Sequence, residues 1–243
     1  MRCKMKFPSP LIPATLRRRY KRFLSDVTFE DGTTVTAHCP NSGSMLGLSD
    51  PGLKVWVSHS DSKTRKHAHT LELIELPDGN LAGVNTGRPN AIVAEGIEAR
   101  RIAPLSGYSA LRREVRYGKN SRIDILLQAD GRPDCYVEVK NVHLVREAGL
   151  AEFPDSVTSR GAKHLVELGD MVDEGHRAVM VFLVHRTGTN RFGLAADIDP
   201  AYAAAFKTAR GRGVEAVALS ADITPEEVII GGELPITGPG EAP

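Results

Sequence analysis

The chain has 243 residues, with 31 Lys+Arg against 30 Asp+Glu and a formal charge of +1. An apolar fraction of 41% beside 25% charged residues is that of an ordinary globular protein and excludes gross disorder. The near-zero charge excludes a uniformly basic, histone-like binder but leaves room for a local basic patch.

The length suits one large domain or two small ones. The longest wholly apolar run, Ala178 to Val184, is far short of the ~20 residues of a spanning helix. Pro8, Pro10 and Pro13 break the N-terminal stretch where a signal peptide needs an unbroken apolar segment. Cys3, Cys39 and Cys135 form no C-x-x-C pair. Neither a disulfide framework nor a cysteine-rich zinc site is expected, and the expected location is a reducing cytoplasm.

Residues 1 to 25 hold eight Lys/Arg and no acid. Leu16 to Thr28 then reads as a strand, Glu30-Asp31-Gly32 as a hairpin turn, and Thr33 to Cys39 as a β-branched return strand. Leu53 to Ser58 and Thr70 to Leu76 are further strands, closed by the turn Pro77-Asp78-Gly79-Asn80. Short strands with little helical pattern over residues 1–84 predict a small β-barrel of oligonucleotide-binding (OB) size. From Asn85 the pattern changes. Asn90 to Arg100 has helical spacing with Asn90 as N-cap, and Leu111 to Tyr117 alternates as a strand. Ser121 to Leu127 and Cys135 to Val142 flank a strong turn and predict an antiparallel hairpin. A helix over Arg160 to Glu174, a buried strand over Arg177 to His185, a helix over Pro200 to Arg210 and a strand over Val214 to Leu219 complete an α/β domain with a mixed sheet. This domain is expected to span residues 85–230, and the Gly/Pro-rich residues 231–243 are expected to be a disordered tail.

The central hairpin carries the chemistry. Strand alternation puts Glu138 and Lys140 on one face and Val137 and Val139 on the other. Asp124 can join the first face across the hairpin, because Ile123 and Ile125 match the apolar side. Two carboxylates on neighbouring strands suit Mg²⁺ (or Mn²⁺), which lowers the pKa of a bound water and neutralises charge on a phosphodiester. Lys140 can then stabilise the developing oxyanion. Glu95, on the preceding helix, is the natural additional metal ligand, and Glu114 is a second. The competing reading of Glu-x-Lys on a strand is an exposed salt bridge. The upstream Asp, the tight turn and the flanking helices favour a metal-dependent nuclease core.

Several stretches stand out together: Arg22-Phe23-Leu24, Cys39-Pro40-Asn41-Ser42-Gly43-Ser44-Met45, Asn85-Thr86 with Pro89-Asn90, Ser121-Arg122-Ile123-Asp124 and Tyr136-Val137-Glu138-Val139-Lys140-Asn141, followed by Phe153-Pro154-Asp155-Ser156-Val157-Thr158, Arg160-Gly161, His164-Leu165 and Gly175-His176-Arg177-Ala178. Through them the chain resembles the sugar fermentation stimulation protein A family from about Phe7 to Ile230. The resemblance implies an N-terminal OB-like barrel joined to a PD-(D/E)xK nuclease-like domain, with the acidic and lysine positions falling on Asp124, Glu138 and Lys140. It also implies DNA binding and a regulatory role in sugar (maltose) metabolism in enteric bacteria. No Pro precedes Asp124, a departure from the wider nuclease pattern.

Further DNA contacts are expected from Arg17, Arg18, Arg19, Lys21 and Arg22 beside Tyr20, and from a second basic loop with Lys63, Arg65 and Lys66. The alternative for such a run is a solvated edge strand that blunts aggregation. The amides around Asn41 could hold a phosphate. So could Thr158, Arg160 and His164 at a helix start, where Arg160 as a plain surface residue is the alternative. His59, His67 and His69 read as exposed histidines rather than zinc ligands. The sequence thus predicts a DNA-binding protein with an Mg²⁺-dependent phosphodiesterase site, or else a non-enzymatic DNA-binding regulator that keeps the nuclease fold.

Overall fold

The computed structural model describes residues 5–7, 9–118 and 121–238. After a short strand, Met5–Lys6 (β1), five strands close a barrel: Ile12–Tyr20 (β2), Leu24–Thr28 (β3), Thr34–His38 (β4), Lys54–His59 (β5) and His69–Glu75 (β6). They pair in the order β4-β3-β2-β5-β6, and His38 opposite Thr70 joins β4 to β6, so that no edge stays open around the ring. A sixth strand, Leu81–Gly83 (β7), lies beside β6. Alternate residues of these strands, among them Leu16, Val27, Val55, Val57 and Leu71, fill the barrel together with Cys39 and Met45.

The stretch expected to be one strand over residues 16–28 is two. The backbone reverses at Lys21 and Arg22, both left-handed at φ +48° and +62°. Tight hairpins usually obtain that geometry from Asn-Gly, so a search for glycine and asparagine misses this one.

The second unit opens with a helix, Pro89–Glu98 (α1), whose first residue is proline and whose N-cap is Arg88. Asn90, expected as the cap, is the second helical residue, which frees its side chain for the site described below. After a 3₁₀ turn come Ala110–Tyr117 (β8), Ser121–Gln128 (β9), Cys135–Val142 (β10), Leu144–Glu147 (β11) and Gly149–Phe153 (β12). The chain continues through Ser159–Asp173 (α2), Arg177–Val184 (β13), Thr189–Leu194 (β14), Pro200–Gly211 (α3), Glu215–Ile223 (β15), Glu227–Leu234 (β16) and Ile236–Thr237 (β17). The main sheet is mixed, in the order β1-β16-β15-β13-β10-β9-β8, and β11-β12-β14-β17 form a smaller one. The long apolar run becomes β13, parallel to both β10 and β15, and Ala178 to Val184 are all buried, as a strand covered on both faces requires. One face packs against α1 and the barrel residues Leu73 and Trp56. The other packs against α2 and α3 through Leu165, Leu168, Met171, Tyr202 and Phe206.

Two expectations about the ends of the chain need correction. β1 pairs with β16, so residues 5–6 belong to the main sheet rather than to the barrel. Residues 231–234 complete β16 and Ile236–Thr237 pairs with β14, so the chain stays ordered to 238 where a tail was expected. Buried Val228 and Ile230, and a Gly232 N–H donated to Ser220 Oγ at 2.9 Å, hold this Gly/Pro-rich segment against its composition. Residues 239–243, and Cys3 at the other end, lie outside the described residues. No helix among the described residues is long and apolar enough to cross a membrane.

The two units share a polar seam. Gly83 donates its N–H to His185 O at 2.7 Å, and Thr187 N–H bonds to Leu81 O at 2.9 Å. The His185 ring lies so close to Gly83 that an added Cβ would sit 2.0 Å from it. Gly83→Ala is therefore expected to destabilise the protein by about 1–3 kcal/mol through overpacking. Gly211→Ala, at an open helix end with nothing within 4 Å, should hold or slightly raise the urea midpoint.

His185 is fully buried, and desolvation pushes its imidazole down to about 3. A histidine whose folded pKa is depressed contributes stability above its ordinary value, near 6.5, and that contribution is lost as pH falls toward 3. The urea midpoint should fall as the pH drops from about 6.5 to about 4, and His185→Gln should flatten that slope.

Candidate functional site

A cleft of about 950 Å³ runs between the barrel and the α/β unit. Its walls come from β2 and the loop after β4 on one side, and from β9, β10, the start of α1 and the start of α2 on the other. Asp124, Glu138 and Lys140 all line it.

Alternation on β10 places Glu138 and Lys140 on the α2 side, because Val137 and Val139 pack with α1. The β9–β10 ladder runs in register from Cys135↔Leu127 to Val137↔Ile125. One step further the backbone pairing gives way to a side chain: Asp124 Oδ2 accepts the Val139 N–H at 2.7 Å. Ile123 and Ile125 accordingly fall in different cores instead of sharing one apolar side. The other oxygen, Asp124 Oδ1, accepts from Asn90 Nδ2 at 2.7 Å. Burial, and then the charge of Glu138, push the Asp124 carboxyl up to about 6, against the opposing pull of the Val139 amide, Lys140 and Asn90.

Glu138 is 2% exposed. Burial alone would raise its pKa, but Lys140 and His164 together outweigh that and hold it below the usual carboxylate range. Lys140 Nζ donates to Glu138 Oε1 at 2.7 Å, and His164 Nδ1 meets the same oxygen. Glu138 Oε2 is buried and has no hydrogen-bond partner among the described residues. Glu114 lines the cleft opposite Asp124 with φ +56°, exposed, its Oε1 3.5 Å from Asn90 Nδ2.

Other expected residues divide clearly. Glu95 is absent from the cleft: it sits on α1 beside Arg101 and Ile229, at a separate small pocket, and Asn90 is the α1 residue that reaches Asp124. His164 is 5% exposed with both ring nitrogens engaged, so it supports Glu138 and does not face solvent. Thr158 lines the cleft but spends itself on caps, its Oγ1 accepting from Gly161 N and its N–H donated to Asp199. Arg160 is exposed and lines the cleft.

On the barrel side Arg19 and Arg22 line the cleft, whereas Arg17, Arg18 and Lys21 do not. Arg19 bonds to the carbonyls of Asn41 at 2.8 Å, Gly43 at 3.0 Å and Ser44 at 3.3 Å, and so holds the loop in place. Asn41 is buried and used internally, and the amides of Gly43 and Met45 are already taken by Asn41 and Asp155, so these amides are not free for phosphate. The N-terminal basic run does meet an acid: Arg18 pairs with Asp26 across the ladder at 2.8 Å, and Tyr20 hydroxyl also donates to Asp26. Lys63, Arg65 and Lys66 lie off the cleft, with Arg65 bonded to Thr70 beside another pocket.

Sequence reasoning missed Asn90, Arg122, His143 and Asp155 as cleft residues. Arg122 stands two places before Asp124, the strand period, and was legible on that ground. Asp155 was not: it accepts from Met45 N at 3.0 Å across the two units, and its carboxyl is held down to about 2 because His143 and the Met45 amide overcome burial. Among the described residues no group of three or more His, Cys, Asp or Glu has the arrangement of an all-protein metal cage.

Family models match both units, as a sugar fermentation stimulation protein RE domain over residues 87–227 and an SfsA N-terminal OB domain over residues 18–84. A sugar fermentation stimulation protein homolog of Rhodospirillum centenum is 60% identical over 224 residues, covering 92% of this chain and 96% of that one. The homolog of Agrobacterium fabrum is 55% identical over 228 residues, covering 94% and 95%. Among solved structures, that of Pyrococcus furiosus SfsA in complex with Ca²⁺ superimposes with a TM-score of 0.88 at 29% identity, over 98% of this chain and 99% of that one. Identity above one half along nearly the whole of such relatives, with both family models matched in order, means that this chain belongs to the sugar fermentation stimulation protein family.

Proposed function

We propose that the protein binds DNA in the cleft between its two units and carries there a divalent-metal-dependent phosphodiesterase site. The observation that supports this most is the meeting of Asp124, Glu138 and Lys140 on one wall of a cleft that Arg22, Arg122 and Arg160 also line. Mg²⁺ is commonly held by one or two carboxylates and completes its shell with water and phosphate oxygens. Asp124 and Glu138 supply that number, and the partnerless buried Glu138 Oε2 is an acceptor in want of a cation. The Ca²⁺ of the Pyrococcus furiosus relative supports a site for hard, oxygen-seeking ions. Bound Mg²⁺ or Mn²⁺ would supply charge neutralisation at a phosphodiester and a more acidic water.

The chain's own groups do the rest. Arg22, Arg122 and Arg160 hold backbone phosphates and set the strand along the cleft without reading its sequence. Lys140, itself steadied by Glu138, stands ready to stabilise charge developing on phosphoryl oxygens. Asn90 and the Val139 amide keep Asp124 in one orientation.

A second reading is a DNA-binding regulator without catalysis, with the role in sugar metabolism that the family resemblance implies. It is favoured by the closure of the network: both Asp124 oxygens already accept hydrogen bonds and Lys140 is already paired.

Purified protein incubated with single- or double-stranded DNA and Mg²⁺ or Mn²⁺ is expected to cleave it. Asp124→Ala and Glu138→Ala should lower the rate by about a hundredfold or more while leaving gel-shift affinity nearly intact. DNA binding without cleavage would establish the regulator reading in its place.

The arginines make a separate prediction. Arg22→Ala, Arg122→Ala and Arg160→Ala should each weaken binding to all sequences and reduce the salt slope by about one. Lys63→Ala and Arg17→Ala, off the cleft, should change the gel-shift titration far less.

A further inference from the structure

Glu138 has two oxygens with opposite fates, and His164 is the reason. Oε1 receives Lys140 Nζ from its own strand and His164 Nδ1 from α2. Oε2 receives nothing, although it is buried. A buried acceptor left so is destabilising unless something occupies it. The hydroxyls of Tyr117 and Tyr202, which feel the Glu138 charge, make no bond to it either and have no hydrogen-bond partner among the described residues.

The other side of the imidazole explains how His164 presents a donor. Arg160 Nε–H points at His164 Nε2 from 3.3 Å, one helical turn away. A guanidinium can only donate, so Nε2 is the acceptor and the ring proton belongs on Nδ1, facing Glu138. Thr158 caps the helix that carries both residues, and Leu165 and Leu168 fix it to the sheet. The histidine is thus held against Glu138 at the cleft wall, and the residue is 5% exposed.

We infer that His164 is a positioning residue: its Nδ1–H, with the tautomer set by Arg160, locks Glu138 Oε1 and so presents Oε2 to a divalent cation. This rests on the metal site proposed above and assigns the chain a residue outside the ion's direct ligands, the kind of partner whose loss commonly costs 10–100-fold in metal affinity. Arg160, which also lines the cleft, links the phosphate-binding wall to that carboxylate through one imidazole.

The test is Mn²⁺ binding by the whole protein without DNA, measured by titration calorimetry. Two substitutions of similar bulk separate positioning from packing. His164→Asn keeps an N–H donor near the Nδ1 position and should retain most of the wild-type affinity. His164→Gln carries its amide out toward Arg160 and should raise the Mn²⁺ Kd by about 10–100-fold. Equal Mn²⁺ affinity in His164→Gln and wild type, equal loss in both variants, or no Mn²⁺ binding by wild type would each overturn the inference. DNA cleavage by wild type, followed in the same buffers, reports on the phosphodiesterase reading separately. Absent cleavage with the expected order of Mn²⁺ affinities would sink that reading and leave the role of His164 standing.

Discussion

Two carboxylates, Glu138 buried and Asp124 half-buried, share one patch of sheet at the cleft, and most of what surrounds them follows from keeping both there. Removing a carboxylate from water costs several kcal/mol unless donors replace the lost solvation. Glu138 is answered by an ammonium and an imidazole and stays ionised. Asp124 accepts hydrogen bonds only from neutral donors, an amide side chain and a backbone N–H, and burial with the Glu138 charge beside it outweighs these and the pull of Lys140. Its carboxyl therefore rises to about 6, while its neighbour on the adjacent strand moves down. An added cation would relieve both at once, by giving Glu138 Oε2 a partner and by screening the repulsion between the two groups.

The surrounding architecture serves that patch. β13 is apolar from Ala178 to Val184, where it is covered on both faces, and its parallel partner β10 pairs with it over its whole length, through Glu138 and Lys140. The helix α2 brings His164 against the sheet from one side, and α1 begins where Asn90 can reach Asp124. The barrel contributes the facing wall, fixed by Asp155 bonding into the loop after β4 and by Gly83 set against His185. A methyl group at Gly43 would strike the Asp155 carboxylate at 2.4 Å, so close contact between the two units depends on bare backbone at this point.

Much of this was legible before any coordinates. The barrel strands, the central hairpin, the three helices and the buried β13 follow from period and turn chemistry, and Asp124, Glu138 and Lys140 follow from alternation on two strands. What escaped has physical causes. The Lys21-Arg22 reversal uses left-handed residues that carry no turn signature. Glu95 lies five residues past Asn90, on another side of the helix, so α1 presents Asn90 to the cleft and turns Glu95 away. His164 looked like a phosphate ligand because a helix N-terminus attracts anions, but the sheet took the ring first. Arg18 seemed free of acids because Asp26 is remote in sequence and adjacent only across the ladder. The strands β11, β12, β14 and β17 are short and lack clean alternation, and only pairing with one another defines them.

The pairing of β1 with β16 makes the barrel an insertion rather than an appendage. The chain starts in the main sheet, leaves to build the barrel, and returns at α1, so the barrel is tethered to the α/β unit at both of its ends. A barrel held at one end has a single hinge, whereas this one is joined to the α/β unit by two chain crossings, through β1 and through α1. Excision of residues 85–243 as an independent unit would also strip β16 of its outer neighbour β1 and bare an edge for self-association.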